Sequence, residues 1–379
     1  MKMSKIFLAM GLAAAVALPL SWPKLKNLYW AVLAEGLNAL PGTAAGLVEP
    51  KTSDTKAYNK YPRDALSIVT PGMPPTTNYF LGRNYLWNGL YSPRWQLHSG
   101  KALRIMLAAG RSADARKAFM AIKAGTDAIG PDGNLPFLLP PAMQGYVVTP
   151  SIVAQAGSFF LGEACLAIKA FQTYPPSMTG LVASQTELEQ IKSALGRGLV
   201  WLQSQDGILF TADSISANRL LFDALTYQAC GTLLDDGPAI GLVDKYLAKS
   251  TTLFDGRGYF IEKSGWDTHY QAVTINQGNE LLLAGYDSLY ADILKNQLKL
   301  AAAWLLARVD ANGVVHSDGN TRICWSGENL LGGEKLLDPR EVWRALLYSG
   351  IRLNDELLQN AAGKVAAWFR SKPVTTCVR

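Results

Sequence analysis

The chain is poor in cysteine and histidine, and it lacks the motifs of several large enzyme classes. Its 379 residues include four cysteines and three histidines, with no Cys-x-x-Cys pair and no spacing typical of a metal site. No serine lies in a Gly-x-Ser-x-Gly nucleophile elbow. The glycines of Gly256-Arg257-Gly258 have no strand–loop–helix context, which excludes a phosphate-binding loop. We therefore expect neither a metal ion nor a cofactor.

A run of basic residues is also absent, and the excess of positive charge is small. The formal net charge is +6, and removal of Lys2 and Lys5 leaves 34 basic against 30 acidic residues, or +4. This bias is compatible with a polyanionic substrate but too weak to indicate nucleic acid. We expect no nucleic-acid partner, and the oligomeric state is left open.

The first 17 residues have the features of a secretory signal peptide. Lys2 and Lys5 form a basic start, and residues 6–20 are apolar but too short to span a bilayer comfortably. Ala15-Val16-Ala17 is a small-x-small cleavage site. We expect a periplasmic or secreted protein with a Gram-negative-type signal, and no further apolar run of membrane-spanning length. The alternative is an uncleaved anchor.

The four cysteines divide into two pairs by their surroundings. Cys165 and Cys230 lie in apolar helical patterns, which predicts buried thiols. Cys324 and Cys377 lie in a loop and in the C-terminal tail. A disulfide between these two is compatible with an oxidising compartment, although the sequence alone does not establish it.

Helical periodicity dominates from residue 99 onward. Ser184 with Glu187 forms a capping box, and Asp338 followed by Pro339 is typical of a helix start. Convincing strands are few. The predicted helices are 102–109, 113–124, 151–171, 187–203, 216–234, 240–253, 269–283, 291–308, 339–351 and 355–370.

A weak repeat organises these helices. Its marker is an Asp/Asn-Gly turn after a helix, found at Asp132-Gly133, Asp206-Gly207, Asp255-Gly256 and Asn312-Gly313, followed by an extended segment, a polar loop and a second helix. Such helical hairpins must stack to bury their apolar faces, in an open solenoid or in a closed ring. The irregular spacing favours an all-α, (α/α)n toroid of about five to seven hairpins. We expect one large catalytic domain at 76–379, preceded at 18–75 by an N-terminal helix and an extended arm.

The loops after three markers carry the residues suited to chemistry. Residues 260–271 contain a carboxylate, an imidazole, a phenol and an amide close together, and an imidazole is the usual proton carrier near neutral pH. If the hairpins are equivalent, the three loops surround one opening. Their candidate residues are Asn218, Arg219, Trp266, Asp267, His269, Tyr270, Gln271, His316, Arg322, Trp325 and Glu328.

An upstream segment is rich in aromatic, amide and basic groups. Flat aromatic faces flanked by hydrogen-bonding groups suit sugar rings, although tryptophans also serve as ordinary core residues. The candidate substrate-binding residues there are Asn84, Trp87, Tyr91, Arg94, Trp95 and His98.

These features together resemble the toroid-fold polysaccharide lyases, with the alginate and glucuronan lyases most similar. The resemblance rests on the helical hairpins, the export signal, Asn218-Arg219, the Tyr-Phe-x-Glu-x-x-Gly-x-Asp-x-x-Tyr-Gln stretch at 259–271 and the Asp-Gly-x-Thr-Arg loop at 318–322. Toroid-fold glycoside hydrolases share much of this pattern.

The resemblance implies a role for each of four residues. Asn218 would neutralise the substrate carboxylate, His269 or Tyr270 would serve as base and acid, and Arg322 would support them. Those lyases usually place a catalytic tyrosine shortly after the arginine, whereas residues 323–328 contain none. The tyrosine role is therefore open among Tyr270, Tyr91 and Tyr79.

The predicted reaction is β-elimination on an acidic, uronate-containing polysaccharide. A base removes the proton beside the carboxylate, hydrogen-bond donors stabilise the charge that develops, and an acid protonates the departing oxygen. A glycoside hydrolase is the first alternative, since two carboxylates roughly 5–10 Å apart would suffice. Asp267 and Glu328 are its best pair, with Glu262, Asp213 and Asp318 behind them. A non-catalytic polysaccharide-binding protein is the second alternative.

Overall fold

A computed structural model describes residues 97–108, 112–136, 147–263, 265–330, 333–371 and 377–378 of the chain. The predicted signal peptide and arm lie outside the described residues, as do the side chain of His98 and the candidates Tyr79, Asn84, Trp87, Tyr91, Arg94 and Trp95.

The described residues are mostly helical, which confirms the all-α prediction. They form 12 helices, which hold 69% of them, and two small β-hairpins. The helices are α1 (Leu97–Ala108), α2 (Ser112–Asp127), α3 (Pro150–Phe171), α4 (Pro176–Thr179), α5 (Gln185–Ser204), α6 (Asp206–Asp213), α7 (Ala217–Leu234), α8 (Gly237–Thr252), α9 (Thr268–Leu283), α10 (Leu289–Leu306), α11 (Pro339–Leu353) and α12 (Glu356–Ser371). The strands are β1 (Phe254–Asp255), β2 (Tyr259–Phe260), β3 (Asn329–Leu330) and β4 (Gly333–Glu334), paired β1–β2 and β3–β4.

Both predicted helix starts are present. The Ser184 hydroxyl accepts a hydrogen bond from the backbone N–H of Glu187, and the Glu187 carboxylate accepts one from the backbone N–H of Ser184. Asp338 caps α11 by accepting from the N–H of Arg340 at 3.0 Å, with Pro339 in the first turn. These caps satisfy donors that a helix start otherwise leaves unpaired.

Two of the predicted turns need glycine for the same reason. Gly133 and Gly313 have φ of 80° and 84°, in the left-handed region that favours glycine. A Cβ on Gly133 would lie 2.1 Å from the carbonyl oxygen of Arg197, and one on Gly313 would lie 2.2 Å from that of Lys364. Each turn therefore packs directly against the backbone of a later helix, α5 or α12.

The predicted extended segment after Asp206-Gly207 is wrong, because α6 begins there. Its Leu209 is completely buried, and the Asp206 carboxylate accepts a hydrogen bond from the Tyr246 hydroxyl at 2.8 Å and pairs with Lys245. Burial of the apolar face and an acidic residue in the first turn stabilise a helix at this position.

The helices pack as hairpins that stand side by side. Helix α1 packs on α2, α7 on α8, α9 on α10 and α11 on α12, and a second set of contacts runs in succession through α1, α3, α7, α9 and α11. The Arg104 guanidinium of α1 donates to Glu163 of α3 at 2.6 Å and to Glu280 of α9 at 3.0 Å. This buried ion cluster joins α1 to a helix three places further along the succession.

The prediction of free thiols at Cys165 and Cys230 is wrong, because they form a disulfide with a Cα–Cα distance of 5.0 Å. Helices α3 and α7 approach so closely that a Cβ on Gly162 would lie 2.2 Å from the Thr226 hydroxyl oxygen. This approach brings the two cysteines within bonding range. The suggested pairing of Cys324 with Cys377 is confirmed, with a Cα–Cα distance of 5.6 Å.

Helix α3 is, among the described residues, the one helix long and apolar enough to cross a membrane. This length and composition contradict the prediction that no further apolar run is long enough for a membrane helix. However, 78% of its most apolar window is buried inside the fold. Core helices of soluble proteins have the same property, so the length of α3 is weak support for a membrane span.

Candidate functional site

The candidate site lies where the helices α3, α7, α9 and α11 begin. Gln155, near the start of α3, donates to Asp213 just before α7 at 2.6 Å. The backbone N–H of Asn218 in α7 donates to Glu262 at 2.8 Å. His269 in α9 contacts the N-cap of α11. These helices therefore present their N-terminal ends together, and helix N-termini favour negative charge nearby.

Asp267 organises the start of α9. Its Oδ1 accepts hydrogen bonds from the backbone N–H groups of His269 and Tyr270, both at 3.0 Å. Its Oδ2 accepts from the N–H of Ile323 at 2.9 Å. The side chain is completely buried. Asp267 thus fixes the loop that carries Arg322 against the helix that carries the imidazole and the phenol.

A second set of contacts joins the same two loops. The Asn320 side-chain oxygen accepts from the N–H of Thr268 at 2.9 Å, and the N–H of Thr321 donates to the carbonyl of Trp266 at 3.0 Å. A Cβ on Gly265 would lie 2.5 Å from the Thr321 side chain. The loop at 316–328 is therefore held tightly on the loop that precedes α9.

Tyr270 lies in a charged cluster. Its hydroxyl donates to Glu328 at 2.5 Å, and the Arg322 guanidinium lies 3.5 Å from the centre of its ring. Burial raises the pKa of the Tyr270 phenol, and the neighbouring Glu328 carboxylate raises it further. Burial also raises the pKa of Glu328, but Lys335, Tyr270 and Arg322 outweigh it and lower that pKa to about 2. At neutral pH the phenol is protonated and the carboxylate is charged.

Arg322 is held from two sides. Its Nε donates to Glu328 at 2.8 Å, and its Nη1 donates to Glu262 at 2.9 Å. Glu262 is completely buried and also accepts from the N–H of Asn218 and from the Thr274 hydroxyl. Burial raises the pKa of Glu262 to about 7, although Arg322 opposes this shift.

His269 stands beside Tyr270. Its Nδ1 lies 3.4 Å from the backbone N–H of Asp338, a contact longer than the usual roughly 2.7–3.2 Å. Among the described residues Nε2 has no hydrogen-bond partner. Burial lowers the pKa of the half-buried imidazole, and the Lys335 ammonium lowers it further. The ring is therefore neutral near pH 7.

Asn218 and Arg219 form the edge of the site at the start of α7. The Asn218 side chain is 6% exposed, and its buried Oδ1 has no hydrogen-bond partner among the described residues. Arg219 lies 5.3 Å from the centre of the Phe159 ring and 3.8 Å from Asp213. The Nδ2 group of an amide and a guanidinium are both donors that can bind a carboxylate.

Lys335 is a site residue that the sequence analysis did not identify. Its ammonium donates to the Tyr270 hydroxyl and lies 3.5 Å from Glu328 Oε1. The pairing of Asn329 with Glu334 across β3 and β4 places Lys335 opposite Glu328. The Gly332-Gly333 pair in the sequence indicates a turn, but it does not specify this register, because Gly333 already lies in β4 and pairs with Leu330.

Two further candidates, Trp266 and Gln271, flank the start of α9. Trp266 is half-buried, packs edge to face on Trp304 and carries the Arg308 guanidinium 4.7 Å from its ring centre. Gln271 is completely buried and accepts from the N–H of Phe260 through its side-chain oxygen. These two side chains support the loop before α9.

Trp325 and His316 differ in their relation to the site. Trp325 follows Cys324 in the loop that holds Arg322 and Glu328, and it is 46% exposed. The His316 imidazole lies 3.9 Å from the Asp310 carboxylate at the Asn312-Gly313 turn. Trp325 is therefore partly exposed at the edge of the site, whereas His316 is directed to the turn.

Comparison of the chain with protein-family models, with curated protein sequences and with solved structures finds no match.

Proposed function

We propose that the protein is a polysaccharide lyase that cleaves a uronate-containing polysaccharide by β-elimination. The observation that carries the proposal is the pairing of a neutral imidazole, His269, with a protonated phenol, Tyr270, at the converging helix starts. A neutral imidazole can accept a proton and a phenol can donate one. Elimination needs both.

The proposed steps follow from the positions of these groups. The Asn218 amide, with Arg219 beside it, binds the uronate carboxylate and stabilises the negative charge that grows on it. His269 removes the proton from the carbon that bears the carboxylate. A carbon–carbon double bond forms as the glycosidic carbon–oxygen bond breaks, and Tyr270 protonates the departing oxygen. Arg322, fixed by two carboxylates, stabilises the phenolate that Tyr270 becomes.

The proposal includes the toroid arrangement of the hairpins. The succession α1, α3, α7, α9 and α11, and the ion cluster that joins Arg104 of α1 to Glu280 of α9, support a curved row of inner helices. In a ring, the N-terminal ends of these helices would line one opening. The mild positive net charge is compatible with an acidic polymer at that opening.

A glycoside hydrolase is the second candidate, because one pair of carboxyl groups has separated pKa values. Glu262, with a pKa of about 7, and Glu328, with a pKa of about 2, bind the same Arg322 guanidinium. Separated pKa values are typical of an acid and its partner. However, Glu262 is completely buried and both its oxygens accept hydrogen bonds, and Asp267 is committed to capping. The burial of Glu262 and the capping role of Asp267 therefore weaken the case for a two-carboxylate mechanism.

The test is an activity screen on acidic polysaccharides that include alginate and glucuronan. A lyase produces a conjugated unsaturated uronate, which absorbs in the ultraviolet, while a hydrolase produces reducing ends without that absorbance. We expect an ultraviolet rise on at least one polymer with the wild-type protein and none with His269→Ala. Reducing ends without ultraviolet absorbance would replace the lyase proposal with the hydrolase.

A further inference from the structure

Lys335 reaches the site through the geometry of the β3–β4 hairpin. Asn329 pairs with Glu334, and Leu330 pairs with Gly333. The N–H of Lys335 donates to the carbonyl of Glu328 at 3.0 Å, so the two residues face each other directly across the hairpin. The N–H of Cys324 donates in turn to the carbonyl of Lys335 at 3.1 Å. The position of the lysine is thus fixed by backbone bonds on both sides.

The Lys335 ammonium has three contacts with the charged cluster. It donates to the Tyr270 hydroxyl, lies 4.3 Å from the centre of the Tyr270 ring, and stands 3.5 Å from Glu328 Oε1. The three side chains make a continuous line in which Lys335 donates to Tyr270 and Tyr270 donates to Glu328. If Lys335 served only to pack the hairpin, its ammonium would not need to contact the buried hydroxyl of Tyr270.

Exposure to solvent separates the phenol from the two charged side chains of this line, since the Glu328 side chain is 22% exposed. Tyr270 is 7% exposed, whereas the side chain of Lys335 is 23% exposed. A phenolate formed at Tyr270 therefore has little direct access to water, while the ammonium beside it has more. Arg322 also touches the phenol, but a guanidinium does not release a proton in proteins.

We propose that Lys335 is the proton relay that restores Tyr270 after each turnover, an inference that rests on the proposed lyase function. When the glycosidic carbon–oxygen bond breaks, its electron pair stays on the oxygen, which takes the hydroxyl proton of Tyr270. The resulting phenolate takes a proton from the Lys335 ammonium. The neutral amine then takes a proton from water, and His269 releases to water the proton that it removed from the substrate. Protons and charges balance over the cycle, and Lys335 acts through Tyr270 without touching the polymer.

Lys335→Ala and Lys335→Arg test the relay on whichever polymer the wild-type protein cleaves. We expect kcat to fall roughly 10²-fold or more in both variants, as for loss of a positioned proton-transfer group, with little change in KM. Arginine keeps the charge but cannot release the proton, so it should not restore turnover. Lys299→Ala, at an exposed site on α10, is the matched control and should keep wild-type kcat.

Chemical rescue separates a proton relay from a structural role. Methylammonium added to Lys335→Ala should restore turnover in a concentration-dependent way, whereas tetramethylammonium, which has no N–H, should not. Full activity in Lys335→Arg, or equal rescue by both cations, would show that only charge matters and would overturn the relay. Wild-type kcat in Lys335→Ala would overturn it while leaving the lyase intact. A wild-type protein that eliminates no polymer would overturn the lyase and the relay together.

Discussion

The rings of His269 and Tyr270 meet edge to face, with centroids 5.4 Å apart and planes at 77°. The two residues are consecutive in the first turn of α9, and the Asp267 carboxylate accepts hydrogen bonds from both of their backbone N–H groups. One capping residue therefore positions both proposed proton carriers.

The first prediction concerns the proposed base. His269→Ala should lower kcat by roughly two or more orders of magnitude, the usual contribution of a positioned proton-transfer group. The melting temperature should change little, because a half-buried histidine in the first turn of a helix contributes little packing energy. His316→Ala, which changes an imidazole beside Asp310, is the matched comparison and should remain largely active. Similar kcat values for the two variants would contradict the assignment.

The pH dependence of the wild-type protein gives a second prediction. Because burial and Lys335 lower the pKa of His269, the neutral base persists below the ordinary histidine pKa of about 6.5. The acidic limb of kcat/KM should therefore lie below that value, and activity should fall only as pH drops through it. A pH–rate profile measures this limb. An acidic limb above the ordinary histidine value would contradict a buried base.

Asn218→Ala gives the third prediction. The amide is proposed to act on charge that develops in the transition state, so its loss should lower kcat by roughly 10²-fold or more. Asn296→Ala, at an exposed position on α10, is the matched control. Steady-state kinetics separate kcat from KM. A rise in KM alone would mean that Asn218 binds the substrate and the transition state equally.

The carboxylates at the site give the fourth prediction. Glu328→Gln and Asp267→Asn should leave elimination partly active, since neither group carries a proton in the proposed steps. Asp267→Asn should also lower the free energy of unfolding by about 1–3 kcal/mol, because the new NH2 group cannot accept from the backbone N–H of Ile323. Denaturant titration measures that loss. Two inactive variants beside an active His269→Ala would favour the hydrolase.

Glu262 links pH to stability. Its pKa rises on folding from 4.5 to about 7, so the folded protein holds this proton more tightly than the unfolded chain. The stabilisation is fully present below pH 4.5 and is lost as pH rises to about 7, which amounts to about 3 kcal/mol. Urea titrations should show the wild-type protein losing stability relative to Glu262→Gln between pH 5 and pH 8. Parallel curves would contradict the raised pKa.

The local elements of the fold could be predicted from the sequence, whereas several contacts between distant segments could not. Helix periodicity, the caps at Ser184 and Asp338, and the turns at Gly133 and Gly313 are local signals, and these elements could be predicted. The segment after Asp206-Gly207 could not be, because it folds as helix α6 instead of the extended chain that was expected. The link between Cys165 and Cys230 could not be, because it depends on the close approach of two helices at Gly162. Local patterns specify elements, whereas contacts between distant segments depend on packing.

The same limit applies to the site. The loop candidates Asn218, His269, Tyr270 and Arg322 could be chosen because their residue types stand out in loops. Lys335 could not be chosen, since its contact with Tyr270 depends on a hairpin register and on the docking of that hairpin beside α9. The hydrogen bond between the Asp267 carboxylate and the backbone N–H of Ile323 could not be predicted either, because the two residues are 56 positions apart in the sequence.

Mass spectrometry of the cleavage products tests the central claim most directly. Elimination adds no water, so the masses of the two fragments of a defined uronate oligosaccharide should sum to the mass of the parent. The new non-reducing end should also carry the ultraviolet absorbance of the conjugated double bond. Fragments whose masses sum to the parent plus one water, without that absorbance, would contradict the lyase and identify the reaction as hydrolysis.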